Sequence, residues 1–481
     1  MPIRGLRGGF LRPLTKQQIY DIHMAALEVL ERVGVRAETE RMLRIFADGG
    51  ADIDFDQKLV RIPQHLVSEA LAKAPKKVVL CGRNPRYDII LENNRVHFGI
   101  GGSPKSRILD IETKKLRTPT KKDVEDSTRL ADALPGISFV QNIANSSDMP
   151  HHVQYIHNTE AMLNNTEKHL VCTAANAAEA RIIMRMGSIV EDNLRTRPIL
   201  SVYSCPAAPL LLTSSQENVI EAAESGIPAV LCGGPMAGAT APVTLAGQVV
   251  QNIAENLSVL VLCQLVNPGT PVVIGATTGL LDQRTTMFCL GAPEQVISQV
   301  MSVQVSHHYG LPYFGTGGCS DSNTLDAQAA AEATMTALTC ALCGMDMIQD
   351  VAVISHDDVG CMELAVIAED IIGMIERILQ WATIDDESLA VDVIAEVGPA
   401  GHFLSQKHTR KFLKREFYFP RLFNRQSLTA WVKAGAKDLS SVATEKAKEI
   451  LSEHHPEPLP KGVRQKLTEI VKEAEKELIR T

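Results

Sequence analysis

The longest apolar run in this 481-residue chain, Leu257–Val266, is interrupted by Gln264 and falls well short of the ~20 residues that cross a bilayer. No segment reads as a basic amphipathic membrane anchor. The opening stretch MPIRGLRGGFLRPLT carries arginines with no apolar segment behind them, so no signal peptide is expected. An excess of positive charge is also missing. Lys plus Arg is 48 against 56 for Asp plus Glu, a net charge of −8, which argues against wrapping nucleic acid. Cysteine motifs are nearly absent: ten cysteines are scattered, and only Cys340 and Cys343 lie close together. They fall near the end of an Ala-rich helical pattern, and a lone Cys-x-x-Cys without a second ligand pair reads as core packing. The expected location is the reduced cytoplasm. HExxH, GxSxG and the GxxxxGK phosphate loop are absent too, which removes three common catalytic frameworks.

What is present is an ordinary globular composition, 45% hydrophobic and 22% charged, in a chain long enough to bury a large core without disulfides. Thr15-Lys-Gln-Gln18 forms a capping-box start for a helix to about Val33. Further helices at Glu38–Ala47 and Pro63–Ala72, with short alternating pieces such as Lys58–Ile62, make residues 1–95 a mixed helical and hairpin region. Eight β-branched, apolar runs follow: Val96–Gly101, Ser138–Ile143, His169–Thr173, Ile199–Cys205, Ala229–Cys232, Val272–Ala276, Pro312–Gly315 and Met347–Ile354. Helical spacing fills the intervals. After Ile199–Cys205, for example, Ser214-Ser-Gln-Glu217 reads as a capping box and Gly226 as the helix stop. Strands alternating with helices every ~30–40 residues imply parallel crossovers, and eight such units predict a closed (β/α)₈ TIM barrel of the α/β class over 96–385. A helix over Glu363–Gln380 ends this pattern. Residues 386–481 read as a charged helical extension, with a solvated amphipathic helix at Lys461–Arg480.

Strand C-terminal ends converge on one mouth of such a barrel. Those positions are Phe98, Asn142, Thr173, Tyr203, Thr277, Phe314 and His356, with Thr316 and Asp321 in the small, polar loop Gly315–Ser322. Ser355-His356-Asp357-Asp358 has one histidine beside acids, and without further ligands at matching spacing no metal is expected there. His307–His308 closes a helix and reads as structural. Gly99–Gly102 and Gly233–Gly238 follow strands as phosphate loops do, but glycines also let loops turn over a mouth. Lys407–Arg425 interleaves seven basic residues with Phe412, Phe417, Tyr418, Phe419 and Phe423. It reads as a helix packing its aromatic side on the barrel, or as a docking patch for an acidic partner.

Several segments, in order along essentially the whole chain, resemble the trimethylamine methyltransferase family. They are Leu14-Thr-Lys-Gln-Gln-Ile19 with the run Ala26–Val35, Val60-Arg-Ile-Pro63, Val96–Gly102, Leu109–Thr113, Arg129–Pro135 and Ser320–Gln328. The most distinctive are Gly401-His-Phe-Leu404, His408-Thr-Arg410 and Phe419-Pro-Arg-Leu-Phe-Asn-Arg425. The resemblance implies a (β/α)₈ barrel that passes a methyl group to Co(I) of a separate corrinoid protein. Founding members use pyrrolysine on trimethylamine. This chain has no pyrrolysine, so the resemblance implies a quaternary amine such as glycine betaine, proline betaine or carnitine. The cobalamin would sit on the partner and no cofactor on this chain. Asp21-Ile-His23-Met-Ala-Ala26 lacks the last glycine of the corrinoid-carrier pattern Asp-x-His-x-x-Gly.

A quaternary ammonium leaves as a neutral amine without a general acid, so the protein must position it, exclude water and offer aromatic faces to the cation. With aromatics at 4% of the chain, Phe98, Tyr203, Phe314 and Phe419 are the candidates, with Thr316 beside them. His356 and Asn142 are placed to take a carboxylate and Asp321 to face the ammonium; His356 and Asp321 are the catalytic candidates. A homo-oligomer is expected. Two other readings stay open: a cobalamin-independent barrel lyase, which would need an internal lysine or metal triad, and a betaine-binding protein without catalysis.

Overall fold

The computed structural model describes residues 5–92 and 94–478. Eight parallel strands form its centre: β1 (Arg95–Ile100), β2 (Ile137–Val140), β3 (His169–Thr173), β4 (Leu200–Ser204), β5 (Ala229–Leu231), β6 (Val272–Ala276), β7 (Tyr313–Thr316) and β8 (Met347–Val351). Each pairs with the next, and β8 returns to β1 through Met347 opposite His97 and Ile348 opposite Phe98. The barrel is therefore closed and has no free edge. All eight strands lie within or beside the runs read from the sequence. The last run is the one that differs: Ala352 takes a positive φ of 76°, and Val353–Ile354 turns back to pair with Val359–Gly360.

One helix follows each strand: α1 (Lys121–Ala133), α2 (Gln154–Asn165), α3 (Ala177–Val190), α4 (Glu217–Ser225), α5 (Leu245–Val266), α6 (Pro293–His308), α7 (Ala327–Cys343) and α8 (Met362–Gln380). Local chemistry sets their ends. Thr15 and Gln18 cap the N-terminal helix Lys16–Glu28 reciprocally, and Asp326 accepts the Ala329 amide at the start of α7. Gly226 closes α4 in the left-handed conformation. The capping box before α4 is Thr213 with Gln216, one residue earlier than the sequence reading. Helix α5 is long and apolar enough to cross a membrane, but it is packed into the ring around the barrel. Cys340 and Cys343 are buried in α7, where desolvation raises both thiols, as core packing requires.

Two apolar layers hold the fold. The outer layer lies between strands and helices. The inner one gathers Phe139, Val171, Tyr203, Val230, Cys232, Val273, Phe314 and Met347 inside the barrel, together with Val78, Leu80, Ile89 and Leu91. The last four come from the antiparallel hairpin Val78–Leu80 and Ile89–Leu91, which plugs the N-terminal end. Gly99 makes room for this interior, since a Cβ there would fall 2.0 Å from the Phe139 ring. The C-terminal helix Lys461–Glu477 packs against α2 and α3 through Leu467, Ile470 and Val471, so it is less solvated than its charges suggest. Arg480, where the sequence reading ended this helix, lies outside the described residues, as do Met1–Arg4 of the opening stretch.

Candidate functional site

Above the apolar interior, the strand ends turn polar. Counting two residues beyond Phe139, Val171, Tyr203, Val230, Phe314 and Met347 gives Gln141, Thr173, Cys205, Cys232, Thr316 and Gln349 on the inner face. Gln349 Nε2 reaches across to the Cys232 thiol (3.2 Å), the Thr277 hydroxyl (3.0 Å) and the Thr316 hydroxyl (3.4 Å). Thr316 donates to Asp350 Oδ2 at 2.7 Å. Beneath this layer Tyr203 and Phe314 meet edge to face with ring centres 6.0 Å apart, and Phe139 tilts against Phe314 at 6.2 Å. The barrel thus presents a hydrogen-bonded polar floor on an aromatic base.

Charge at this end is concentrated and mostly negative. Lys105, in the loop after β1, is buried, ion-paired to Asp357 and 4.0 Å from Asp350. Burial raises the Asp350 carboxyl, and the neighbouring Asp357 adds to the rise while Lys105 opposes it. Gly102 is required here, because a Cβ would lie 2.0 Å from Asp350 Oδ1. Glu255, on α5, accepts from the Leu210 amide (3.0 Å) and Gln251 (2.9 Å) through Oε1, while Oε2 is buried without a partner. Desolvation pushes Glu255 up to about 7. The amides of Gln141 and Asn142 and the Gln349 oxygen are also buried with atoms left unpaired. Such groups cost roughly 1–3 kcal/mol each when unsatisfied, so their gathering at one end marks a place built for a polar ligand or ordered water. Cys205 is solvent-exposed, yet desolvation by the surrounding protein raises its thiol far above the ordinary range. A side chain both reachable and ringed by protein lines a concavity.

The structure separates the residues picked from the sequence. Thr316 sits in the polar floor, and Tyr203 and Phe314 form its aromatic base. Asn142 stands just beyond β2, its carbonyl accepting the Gly102 amide at 3.3 Å. His356 and Asp321 do meet, with Nδ1 and Oδ1 3.5 Å apart. Both also face the strand Phe288–Cys289: His356 Nδ1 lies 2.9 Å from the Phe288 carbonyl, and Asp321 accepts the Leu290 and Gly291 amides at 2.8 and 2.9 Å. Burial is the main cause of a raised Asp321 carboxyl. Phe98 points the other way. It belongs to the layer between strands and helices, because it alternates with Gly99, whose partner Phe139 is interior. Phe419 is exposed on a tail loop held outside the barrel, where Asp370 of α8 accepts the Tyr418 hydroxyl and the Arg421, Leu422 and Phe423 amides. Neither phenylalanine lines the mouth. His23 lies within its helix with Nδ1 3.0 Å from the Tyr309 hydroxyl, a structural contact.

Sequence reasoning missed Lys105, Gln141, Gln349, Asp350 and Glu255. Two of these left a trace: Asp350 is a charge inside an apolar strand run, and Glu255 is one carboxylate inside the apolar helix α5. Comparison with known proteins agrees in extent with the geometry. The family pattern described as trimethylamine methyltransferase (MTTB) matches residues 5–478. A trimethylamine methyltransferase MttB of Desulfitobacterium hafniense is 36% identical over 98% of this chain and 96% of its own length. Another, from Methanosarcina thermophila, is 31% identical over 94% of this chain and 95% of its own. A glycine betaine methyltransferase of Desulfitobacterium hafniense is 30% identical over 97% of each chain. A match of this length and level means that the chain is a methyltransferase and belongs to the trimethylamine methyltransferase family.

Proposed function

We propose that this enzyme moves a methyl group from a quaternary amine, glycine betaine or a related betaine, to Co(I) of a separate corrinoid protein. The observation that carries the substrate class is the charge of the mouth: Asp350, Asp357 and Glu255 against Lys105, over the Tyr203 and Phe314 rings. An excess of carboxylates, with Asp350 and Glu255 desolvated, suits a permanent cation. The unpaired amides of Gln141 and Asn142 offer donors for the betaine carboxylate. A quaternary nitrogen takes the electron pair of the breaking N–CH₃ bond and leaves as a neutral tertiary amine, so no acid is required of the protein. The partner's cobalt supplies the nucleophile. This chain holds the ammonium, turns one methyl outward and keeps water away. The engagement of His23 with Tyr309 supports a corrinoid carried by another chain. Ten free cysteines support a cytoplasmic setting.

The test combines purified enzyme, a reduced corrinoid protein and glycine betaine, following dimethylglycine and the Co(I) absorption. Dimethylglycine is expected only when all three are present, and trimethylamine is expected to give no turnover. Demethylation with no corrinoid present would overturn the acceptor. Faster turnover of trimethylamine would overturn the substrate class.

The same reading includes a homo-oligomer, supported by the segment between α8 and the helix Leu439–Glu453. Trp381, Ile384, Val391, Leu404 and Leu428 are exposed there, Leu404 by 87%, and its short helices Asp386–Leu389, Val391–Val397 and Leu428–Lys433 bury no residue. The segment starts at the end opposite the mouth: Trp381 stacks on Phe10, whose amide donates to Leu342 near the end of α7. A corrinoid partner must reach the mouth, so a second copy of this chain is the occupant that fits. Light scattering is expected to give a multiple of 52.4 kDa for the native chain and a lower mass for Ile384→Asp with Leu404→Asp. A monomeric native chain would remove this interface.

A further inference from the structure

Three loops beyond β6, β7 and β8 bring together a thiol, a carboxylate and an imidazole. Cys289 lies on the second strand of the hairpin Gly279–Leu281 and Phe288–Cys289, Asp321 in the loop after β7, and His356 in the turn after β8. One ligand atom from each residue lies within 4.8 Å of the other two. All three are partly buried and stand at the C-terminal end of the barrel, where substrate sites of this fold are built. We infer that Cys289, Asp321 and His356 form a divalent transition-metal site of the zinc type, with an open position that takes a carboxylate anion.

The donor set is the first reason. Thiolate, imidazole and carboxylate are the ligands zinc takes, and three protein ligands with a vacant fourth position is the arrangement of reactive rather than structural sites. The outer contacts are the second. Metal ligands are oriented by hydrogen bonds from behind, and here Asp321 is held by the Leu290 and Gly291 amides. A carboxylate accepting two amides still has lone pairs to offer a cation. Zinc bonds of about 2.0–2.3 Å put tetrahedral ligand atoms roughly 3.3–3.8 Å apart, so the group must close by about 1 Å. Cys289 is on a short, partly exposed strand and His356 on a turn of positive φ (56°), both able to adjust. The expectation of no metal at His356 rested on sequence spacing alone, and the hairpin supplies the ligand that spacing could not show.

The anion is the betaine carboxylate, an assignment that rests on the proposed substrate; the metal does not. A cation at the rim and carboxylates in the floor would give a dipolar site for a dipolar substrate.

The test titrates cobalt(II) into the chelator-treated full-length protein and reads visible absorption. Stoichiometric binding with a thiolate-to-cobalt band is expected, lost in Cys289→Ser and at least tenfold weaker in His356→Ala. Zinc should displace the cobalt. Acetate and glycine betaine should each shift the visible bands, and choline, which has no carboxylate, should not. Absence of cobalt binding, or the same band in Cys289→Ser, would overturn the site whatever the substrate. Binding with a shift by acetate but none by betaine would leave the metal and its carboxylate position standing and overturn only the link to the betaine substrate. Binding with no response to either carboxylate would overturn the open position.

Discussion

Exchanging Lys105 for Met is expected to destabilise the folded protein by about 3–5 kcal/mol, read as a lower urea midpoint with an unchanged slope. Lys105 is enclosed by protein and holds Asp357 in an ion pair, with Asp350 4.0 Å away. Burial opposes the charge on its ammonium, and the two carboxylates outweigh that effect, so its pKa stands above the ordinary lysine value. Methionine would fill similar space and leave the buried Asp350 and the partly buried Asp357 with no cation. The loss comes mainly from that uncompensated charge, so it should shrink when the charge is removed. Lys105→Met combined with Asp350→Asn and Asp357→Asn is expected to recover most of the midpoint. Acid should also narrow the gap between Lys105→Met and the native chain, because protonated carboxyls need no partner. An unchanged midpoint in the single variant, or no recovery in the triple, would show that the ion pairs are incidental to stability.

The barrel was legible because parallel strands buried on both faces read as short apolar runs, and caps and glycines punctuate the helices between them. That same burial hid which side chain faces inward. In Val96-His-Phe-Gly-Ile100 there is no alternation of polar and apolar residues, so Phe98 looked as suitable for the mouth as any neighbour. Pairing of Gly99 with Phe139 settles the parity, and pairing is not written in one strand. The plug hairpin was invisible for a related reason: Val78–Leu80 and Ile89–Leu91 are apolar triplets that name no partner. Lys105 was overlooked because a lysine in the loop Gly101-Gly-Ser-Pro-Lys105 looks solvated, and only the fold brings Asp350 and Asp357 to it. Phe419 was drawn toward the mouth by its place in a basic, aromatic stretch, whereas four hydrogen bonds to Asp370 fix that loop on the outer face of α8. His356 and Asp321 lie 3.5 Å apart, and the hairpin segment 288–291 that holds both of them left no signal in the sequence.

Affinity for glycine betaine is expected to rise about tenfold between pH 6 and pH 8, because binding a cation selects the ionised carboxylates. Desolvation puts Glu255 at about 7 and raises Asp350 in the same direction. For a group titrating near neutrality, the ionised fraction climbs from roughly a tenth to nine-tenths over that range, and apparent affinity scales with the competent fraction. The stability change has the opposite sign. A carboxyl whose folded pKa lies above its unfolded value binds its proton more tightly in the fold, so its contribution is favourable at low pH. That contribution falls away as pH rises from the unfolded value to the folded one. Ligand-free protein should therefore lose stability through this window while betaine binding strengthens, and the thermal shift caused by betaine should grow with pH. Asp350→Asn and Glu255→Gln together should flatten the affinity profile and weaken binding at pH 8 by at least tenfold. The isostere tert-butylacetate, which keeps the carboxylate and has carbon in place of the ammonium nitrogen, separates the cationic charge from shape: the native chain should prefer betaine increasingly as pH rises, and the double variant should hardly distinguish the two. A flat profile in the native protein, an unaltered slope in the double variant, or equal binding of the isostere at pH 8 would each refute a carboxylate-lined cation site.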